Sequence, residues 1–130
     1  MISAYQRTSW PRPVQSLLGL PVRLGDVALG HVADLVLEQG FDRVVGFLVE
    51  GRGRPRLFLP WVAASPEPDR VSIGSVFALL SGAELDFYLA DGVRLREAPD
   101  DAVTDARIDQ SGALTPVETR SESRSQTAGQ

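Results

Sequence analysis

The chain has 130 residues, of which 43% are hydrophobic, so it is long enough for one folded domain with short appendages. Its formal net charge of −4 disfavours general binding to nucleic acid, because such binding neutralises phosphates with basic side chains. The lack of cysteine excludes disulfides, thiol nucleophiles and cysteine-ligated metals.

Residues 1–15 are predicted to be a lead-in without a signal-peptide core, with Trp10 tucked onto the domain that follows. No apolar stretch approaches the roughly 18 residues that a membrane-spanning helix needs. We therefore expect a soluble, cytoplasmic protein without a membrane span. All 13 basic residues are arginine, which fits GC-rich codon usage as well as a need for forked hydrogen-bond donors.

Five short strands are predicted next, separated by turns rich in Gly, Pro and Asp. The second strand alternates, which places Val32, Asp34 and Val36 on one side and the residues between them on the other. Strands this close in sequence favour an antiparallel meander that curls into a small barrel. The predicted strands span 20–24, 31–38, 43–49, 56–61 and 70–75.

A short amphipathic helix is predicted over 82–90. Ser81 and Glu84 have the spacing of a capping box, and apolar residues at helical spacing follow them. We expect this helix to close one end of the barrel, with Glu84 and Asp91 on its exposed side.

Residues 93–110 partly repeat residues 22–39, with six of eighteen positions identical without gaps. The segment 91–118 is therefore either a partial internal duplication or a β-hairpin extension. The second copy is too short to close a barrel, so it must pack on the first, pair with another chain or remain loose.

A hairpin is predicted within that segment under either interpretation. Its strands would be 102–109 and 113–117, joined by a turn at Gln110, Ser111 and Gly112. The polar residues 119–130 are predicted to be a disordered tail.

Four motifs follow one another along the chain: LLGLPV (17–22), LGHVAD (29–34), RVVGFLV (43–49) and FLPW (58–61). In this order and spacing they resemble the PRC-barrel family, over about residues 16–90. The family includes the barrel of the photosynthetic reaction-centre H subunit and the C-terminal domain of the ribosome-maturation factor RimM. The resemblance implies a mainly β fold built around a small antiparallel barrel, which serves as a docking module and not as an enzyme.

The physical properties of the motif residues fit a small β-barrel. Gly30 allows a close backbone approach, and Pro60 lacks an N–H group and so belongs at a strand edge or bulge. Trp61 is interpreted as a barrel anchor rather than a ligand platform, because its strand is otherwise apolar. The chain departs from the two named members, since it has no membrane helix and only about 15 residues precede its barrel.

The sequence gives little support for a catalytic site or a metal site. His31 is the only histidine, and Asp34 follows at an odd spacing that would put the two side chains on opposite faces of a strand. One histidine without cysteine disfavours zinc. We expect no cofactor and no metal. An acidic group that could hold calcium lacks the spacing of an EF-hand and is interpreted as a solvated loop; it consists of Asp100, Asp101, Asp105 and Asp109.

The candidate partner-binding residues are Arg52, Arg54, Arg56 and Arg70. The first three alternate and would project to one side of an extended strand, which could meet an acidic protein surface or phosphate. The alternative is a solvated turn that protects a sheet edge from aggregation.

Three functional hypotheses follow. The first is a non-catalytic docking module that binds a protein partner of unknown identity and also forms a homo-oligomer through unpaired strand edges. The second is association with the ribosome or RNA by analogy with RimM, with the arginine turn as its only local support. The third, an enzyme, lacks a visible nucleophile–base pair or metal set.

Overall fold

Ten short strands account for most of the regular structure within the described residues. The computed structural model of the chain describes residues 10–51, 53, 55–97 and 101–115. The strands are β1 (Arg12–Pro13), β2 (Pro21–Leu24), β3 (Val27–Leu37), β4 (Val44–Glu50), β5 (Leu57–Pro60), β6 (Ala64–Pro66), β7 (Val71–Ile73), β8 (Val93–Arg94), β9 (Arg107–Ile108) and β10 (Leu114–Thr115). Two α-helices, α1 (Gly82–Asp91) and α2 (Asp101–Thr104), accompany them, with 3₁₀ turns at Val14–Leu17, Trp61–Ala63, Val76–Ala78 and Leu95–Glu97.

The large sheet has the strand order β5-β4-β3-β2-β7-β6 and curls into a half-barrel. The predicted fold class, mainly β with a small barrel and a short helix, is confirmed. One detail is wrong, because β2 and β7 are parallel, with Val22 beside Val71. Alternation in the sequence identifies strands, but it carries no information on the direction in which a distant strand returns.

The main core lies on the inner face of the curled sheet. Trp61 is only 7% exposed and stacks on Phe47, with ring centroids 5.2 Å apart. Trp10 contacts the edge of the same indole at 6.4 Å. The barrel-anchor interpretation of Trp61 and the predicted tucking of Trp10 are therefore both confirmed.

Helix α1 packs on the outer face of β3, β4 and β5. The ring of Tyr88 stacks on that of Phe58 at 4.2 Å, and Leu85 and Leu89 join the same cluster. The expectation that the helix closes a barrel end is therefore wrong. The predicted capping box does not form either, since the side chain of Ser81 makes no capping hydrogen bond. Gly82 starts the helix at φ +62°, a left-handed conformation that glycine adopts readily.

The segment that follows α1 packs on its own chain. Strand β8 pairs with β3, and β9 pairs with both β1 and β10. The hairpin and its turn form as predicted, but the first strand is shorter, because Asp101–Thr104 is helical. Residues 116–117 of the predicted second strand lie outside the described residues. The predicted tail 119–130 lies outside the described residues. The segment adds five side chains to the main core: Leu95, Val103, Ala106, Ile108 and Leu114.

Candidate functional site

The outer face of the sheet carries a groove at each end of the region that α1 covers. One groove lies at the end of β3 and β4 marked by His31 and Glu50, and we call it the polar groove. The other lies at the end marked by Leu37 and Val45, and we call it the apolar groove. Helix α1 packs between them and so separates two surfaces of different chemistry.

The polar groove encloses about 380 Å³ and carries both charged signs. Arg56 Nε donates to Glu50 Oε2 at 2.9 Å, and Arg94 Nη2 donates to Glu97 Oε2 at 2.8 Å. Both pairs are substantially exposed, so each contributes little to stability. Arg96 also lines the groove, and within the described part of the chain its guanidinium makes no ion pair.

Asp34, the acidic residue of the second motif, lies at the floor of this groove and is 5% exposed. Its Oδ1 accepts hydrogen bonds from the backbone N–H of Leu35 at 2.8 Å and of Arg96 at 3.1 Å. Arg96 Nε in turn donates to the carbonyl oxygen of Ala33 at 2.8 Å. Asp34 therefore fastens the segment after β8 to the barrel.

A β-bulge in β3 brings His31 and Asp34 to the same face. Val32 pairs with Val49 but Asp34 pairs with Leu48, which leaves Ala33 as the extra residue. The bulge changes the alternation, so Val32 points into the main core instead of sharing a side with Asp34. The prediction that His31 and Asp34 lie on opposite faces is wrong, since both line the polar groove.

Two of the four candidate arginines, Arg56 and Arg70, lie among the described residues and occupy different parts of the sheet. Arg56 lies in the polar groove, whereas Arg70 precedes β7 and its Nε lies 3.5 Å from the carboxylate of its neighbour Asp69. In the sheet order, three strands stand between β5 and β7. Arg52 and Arg54 lie outside the described residues, so a common arginine surface stays a prediction.

Among the described residues, no cluster of three or more His, Asp or Glu side chains is arranged to hold a metal ion. Asp109, from the predicted acidic group, instead accepts hydrogen bonds within the hairpin turn at 109–113. Ser111 is the main donor, and it holds the pKa of the Asp109 carboxyl below its usual value. The described part of the chain also contains no helix with the length and apolar character needed to span a bilayer.

The apolar groove encloses about 420 Å³ and has walls from the sheet and from α1. Phe87 stands at its edge, 64% exposed, and contacts the ring of Tyr88 edge-on at 5.4 Å. The spacing of apolar residues in α1 signals this exposure. Leu85, Tyr88 and Leu89 lie on the partly buried side that packs on the sheet, and Phe87 lies outside that side. The groove itself has no such signal, because it depends on where α1 meets the sheet.

A third feature is a cluster of exposed apolar side chains, which we call the apolar end: Val62, Val76 and Phe77. Val62 and Phe77 are 94% and 89% exposed. Strands β6 and β7 are antiparallel with Ala64 beside Ile73, so the residues just before β6 and just after β7 lie at one end of this pair. Large apolar side chains exposed near one end of a strand pair are candidates for an interaction site.

The sequence model of the PRC-barrel domain family matches residues 13–79, which is just over half of the chain and includes strands β2 to β7. The chain belongs to the PRC-barrel family. No curated protein and no solved structure matches it. Within the PRC barrel, Gly30 adopts φ +154° and packs so closely on β4 that a Cβ atom would lie 2.5 Å from the carbonyl oxygen of Glu50. Helix α1 and the segment after it lie outside the family match.

Proposed function

We propose that this PRC barrel is a non-catalytic docking module that associates with a protein partner and with a second copy of itself. The observation that carries the proposal is the apolar end, where Val62 and Phe77 are almost fully exposed. Large apolar side chains in such positions lose their contact with water when another protein covers them, which favours association.

Self-association at the apolar end is supported by its lack of charge. Residues 60–66 and 73–83, which surround the three apolar side chains, contain no charged residue. In a twofold dimer both copies contribute the same surface, so a surface with charges of mainly one sign would repel its counterpart. An uncharged apolar surface avoids this repulsion.

Face-to-face contact is better supported than the edge pairing expected from the sequence. The outward edge of β5 is already occupied, because Phe58 and Leu80 exchange two backbone hydrogen bonds of 2.8 Å.

A non-catalytic role is supported by Asp34. Its Oδ1 accepts hydrogen bonds from two backbone N–H groups and thereby stabilises the fold.

Sedimentation equilibrium over a range of concentrations tests the proposal. We expect the average mass to rise above the 14.1 kDa of one chain, and Phe77→Ser to lower the self-association. Val27→Ser serves as the matched control, since Val27 is also exposed but lies in the hairpin between β2 and β3.

In-cell cross-linking with the same variants tests association with other proteins. A cross-linked partner that is retained by Val27→Ser and reduced by Phe77→Ser would support the docking role. A single-chain mass at every concentration, together with cross-links that do not differ between the variants, would refute it.

A further inference from the structure

The apolar groove combines an open apolar floor with an acidic rim. Its apolar surface comes from Val45, Phe87 and Tyr88, and its remaining walls include Glu38 and Asp91. The groove is therefore built like a pocket for an apolar anchor residue, with charged groups at the margin.

The negative charge at this rim is not compensated. Glu84, Phe87 and Asp91 are spaced so that they share one side of α1, and the helix carries no basic residue. Within the described residues, none of Glu38, Glu84 and Asp91 makes an ion pair. The nearby Arg43 directs its guanidinium elsewhere, because Nη1 donates to the carbonyl oxygen of Ser111.

We propose that the apolar groove binds a basic segment of another protein, in which an aromatic or aliphatic anchor is flanked by Arg or Lys. This inference rests on the proposed docking function and names the partner chemistry of one surface. The anchor buries itself beside Phe87, and the flanking cations lie against Glu38, Glu84 and Asp91. Complementary charge of this kind raises the association rate and selects against acidic partners.

A second copy is a poor occupant of this groove. If two copies met groove to groove, the acidic rim of each would face the acidic rim of the other. The chain as a whole also carries a net charge of −4. Self-association is therefore assigned to the apolar end and the basic partner to the apolar groove.

A displayed library of short random peptides tests the inference on the full chain. We expect the wild-type protein to enrich peptides that combine Phe, Trp or Leu with Arg or Lys. Affinity for a synthetic copy of the best peptide should fall by about tenfold or more in Phe87→Ser, and it should change little in Phe77→Ser. It should also weaken as salt is raised.

A charge-reversal variant tests the contribution of the acidic rim separately from that of the apolar floor. Asp91→Lys adds a cation near the C-terminus of α1, where the helix dipole favours it, so a loss of affinity would not reflect unfolding. Together with Glu38→Lys it should shift the enriched peptides towards acidic ones, whereas Asp26→Lys, on the exposed turn after β2, should not.

Enrichment of no peptides, or of peptides without excess basic charge, would overturn the inference, as would equal affinity in Phe87→Ser. Loss of self-association in Phe87→Ser would also overturn it, because the groove would then hold a second copy. Each of these results leaves the docking function to be judged by sedimentation and cross-linking of Phe77→Ser.

Discussion

At the residue scale, Gly46 of β4 packs very closely on the neighbouring strand β5, with which it pairs opposite Pro60. A Cβ atom at this position would lie 2.5 Å from the carbonyl oxygen of Leu59 and closer still to the ring of Phe58. Neither neighbour can move away easily, because the ring of Phe58 stacks on that of Tyr88 and the Leu59 carbonyl group belongs to a paired strand.

We therefore expect Gly46→Ala to lower the free energy of unfolding by about 2 kcal/mol or more, as overpacking does in a rigid core. Urea denaturation measures this effect. Gly74→Ala is the matched control, because a Cβ there meets nothing within 4 Å, and it should change stability by less than about 0.5 kcal/mol. Equal stability of the two variants would contradict the packing argument.

Arg12 is a buried cation whose partners are mainly backbone carbonyl groups. It is 8% exposed, and its guanidinium donates to the carbonyl oxygens of Glu67 at 2.8 Å and Pro68 at 3.2 Å. It also lies 5.6 Å from the ring of Trp10. Burial lowers the pKa of this group from its ordinary value, because desolvation disfavours the charged form.

Removing this side chain takes the donor away from the carbonyl oxygens of Glu67 and Pro68 and from Ser16, whose Oγ lies 2.8 Å from Nε. We expect Arg12→Ala to cost about 1–3 kcal/mol in the free energy of unfolding. Arg12→Lys should recover only part of it, since a single ammonium cannot reproduce the guanidinium fork. Thermal unfolding of both variants gives the comparison, and full recovery by lysine would show that charge alone matters.

Asp109 links the stability of the hairpin to pH. Its Oδ1 accepts from Ser111 Oγ at 2.6 Å, from the Ser111 N–H at 2.8 Å and from the Ala113 N–H at 3.2 Å. These bonds favour the ionised form, so the folded-state pKa lies below 3.8. The stabilisation is present above the unfolded-state pKa and is lost as pH falls through the folded-state pKa.

We expect Ser111→Ala to raise the pKa of Asp109, because it removes the largest cause of the shift. Titration of the Asp109 carboxyl by NMR measures this directly. The associated change in stability should be small, since the group is exposed to solvent. An unchanged titration midpoint in Ser111→Ala would show that the backbone donors alone set the pKa.

At the scale of elements, Asp34 connects β3 of the PRC barrel to the turn Leu95–Glu97, which lies outside the family match. This carboxylate therefore joins the part of the chain that the family model covers to a part that lies outside it. The connection is reinforced by β8, which pairs with β3 at Val36 and Leu37.

We expect Asp34→Ala to speed hydrogen exchange at the Arg96 amide and to cost about 1–3 kcal/mol, because two backbone N–H groups lose their acceptor. Asp34→Asn is the matched control, since its amide oxygen can still accept both bonds. If Arg96 remains protected in Asp34→Ala, the segment is held by its apolar contacts alone.

At the scale of the whole molecule, the charge distribution argues against RNA as the partner. The net charge is −4, and the two described arginines of the predicted set, Arg56 and Arg70, each lie beside a carboxylate. We expect any RNA affinity to be at the weak end of non-specific binding, about 10⁻⁴ M.

Fluorescence anisotropy with a labelled RNA, measured at two salt concentrations, tests this expectation. Sub-micromolar binding that weakens steeply with salt would favour the analogy with RimM. Loss of such binding when Arg52, Arg54 and Arg56 are all changed to alanine would identify the arginine turn as its site.

Much of the barrel was predictable because its strands are short, apolar and separated by residues that favour turns. The motif from Phe58 to Trp61 predicted both a strand and a tryptophan that anchors the core. The bulge at Ala33 was not predictable, since an alanine within an alternating run has no feature that marks it as extra. That one residue changed the face assigned to Val32 and brought His31 beside Asp34 in one groove.

Both grooves also depended on distances that the sequence does not contain. The apolar groove forms where α1 meets the turn after β3, and the polar groove forms where Arg94 and Arg96 return to the first half of the sheet. Local spacing predicted the helix but not the surface on which it would pack.

The pairing of β1 with β9 has a consequence for synthesis of the chain. Arg12 lies opposite Ile108, so at a typical rate of translation the first strand waits about 5 to 20 s for its partner. During this time Val14 and Leu17, which end up fully buried, lack the cover of the last hairpin. The sheet of β1, β9 and β10 is completed only after Leu114 has been synthesised, and a nascent chain stalled before that point presents an apolar surface to chaperones.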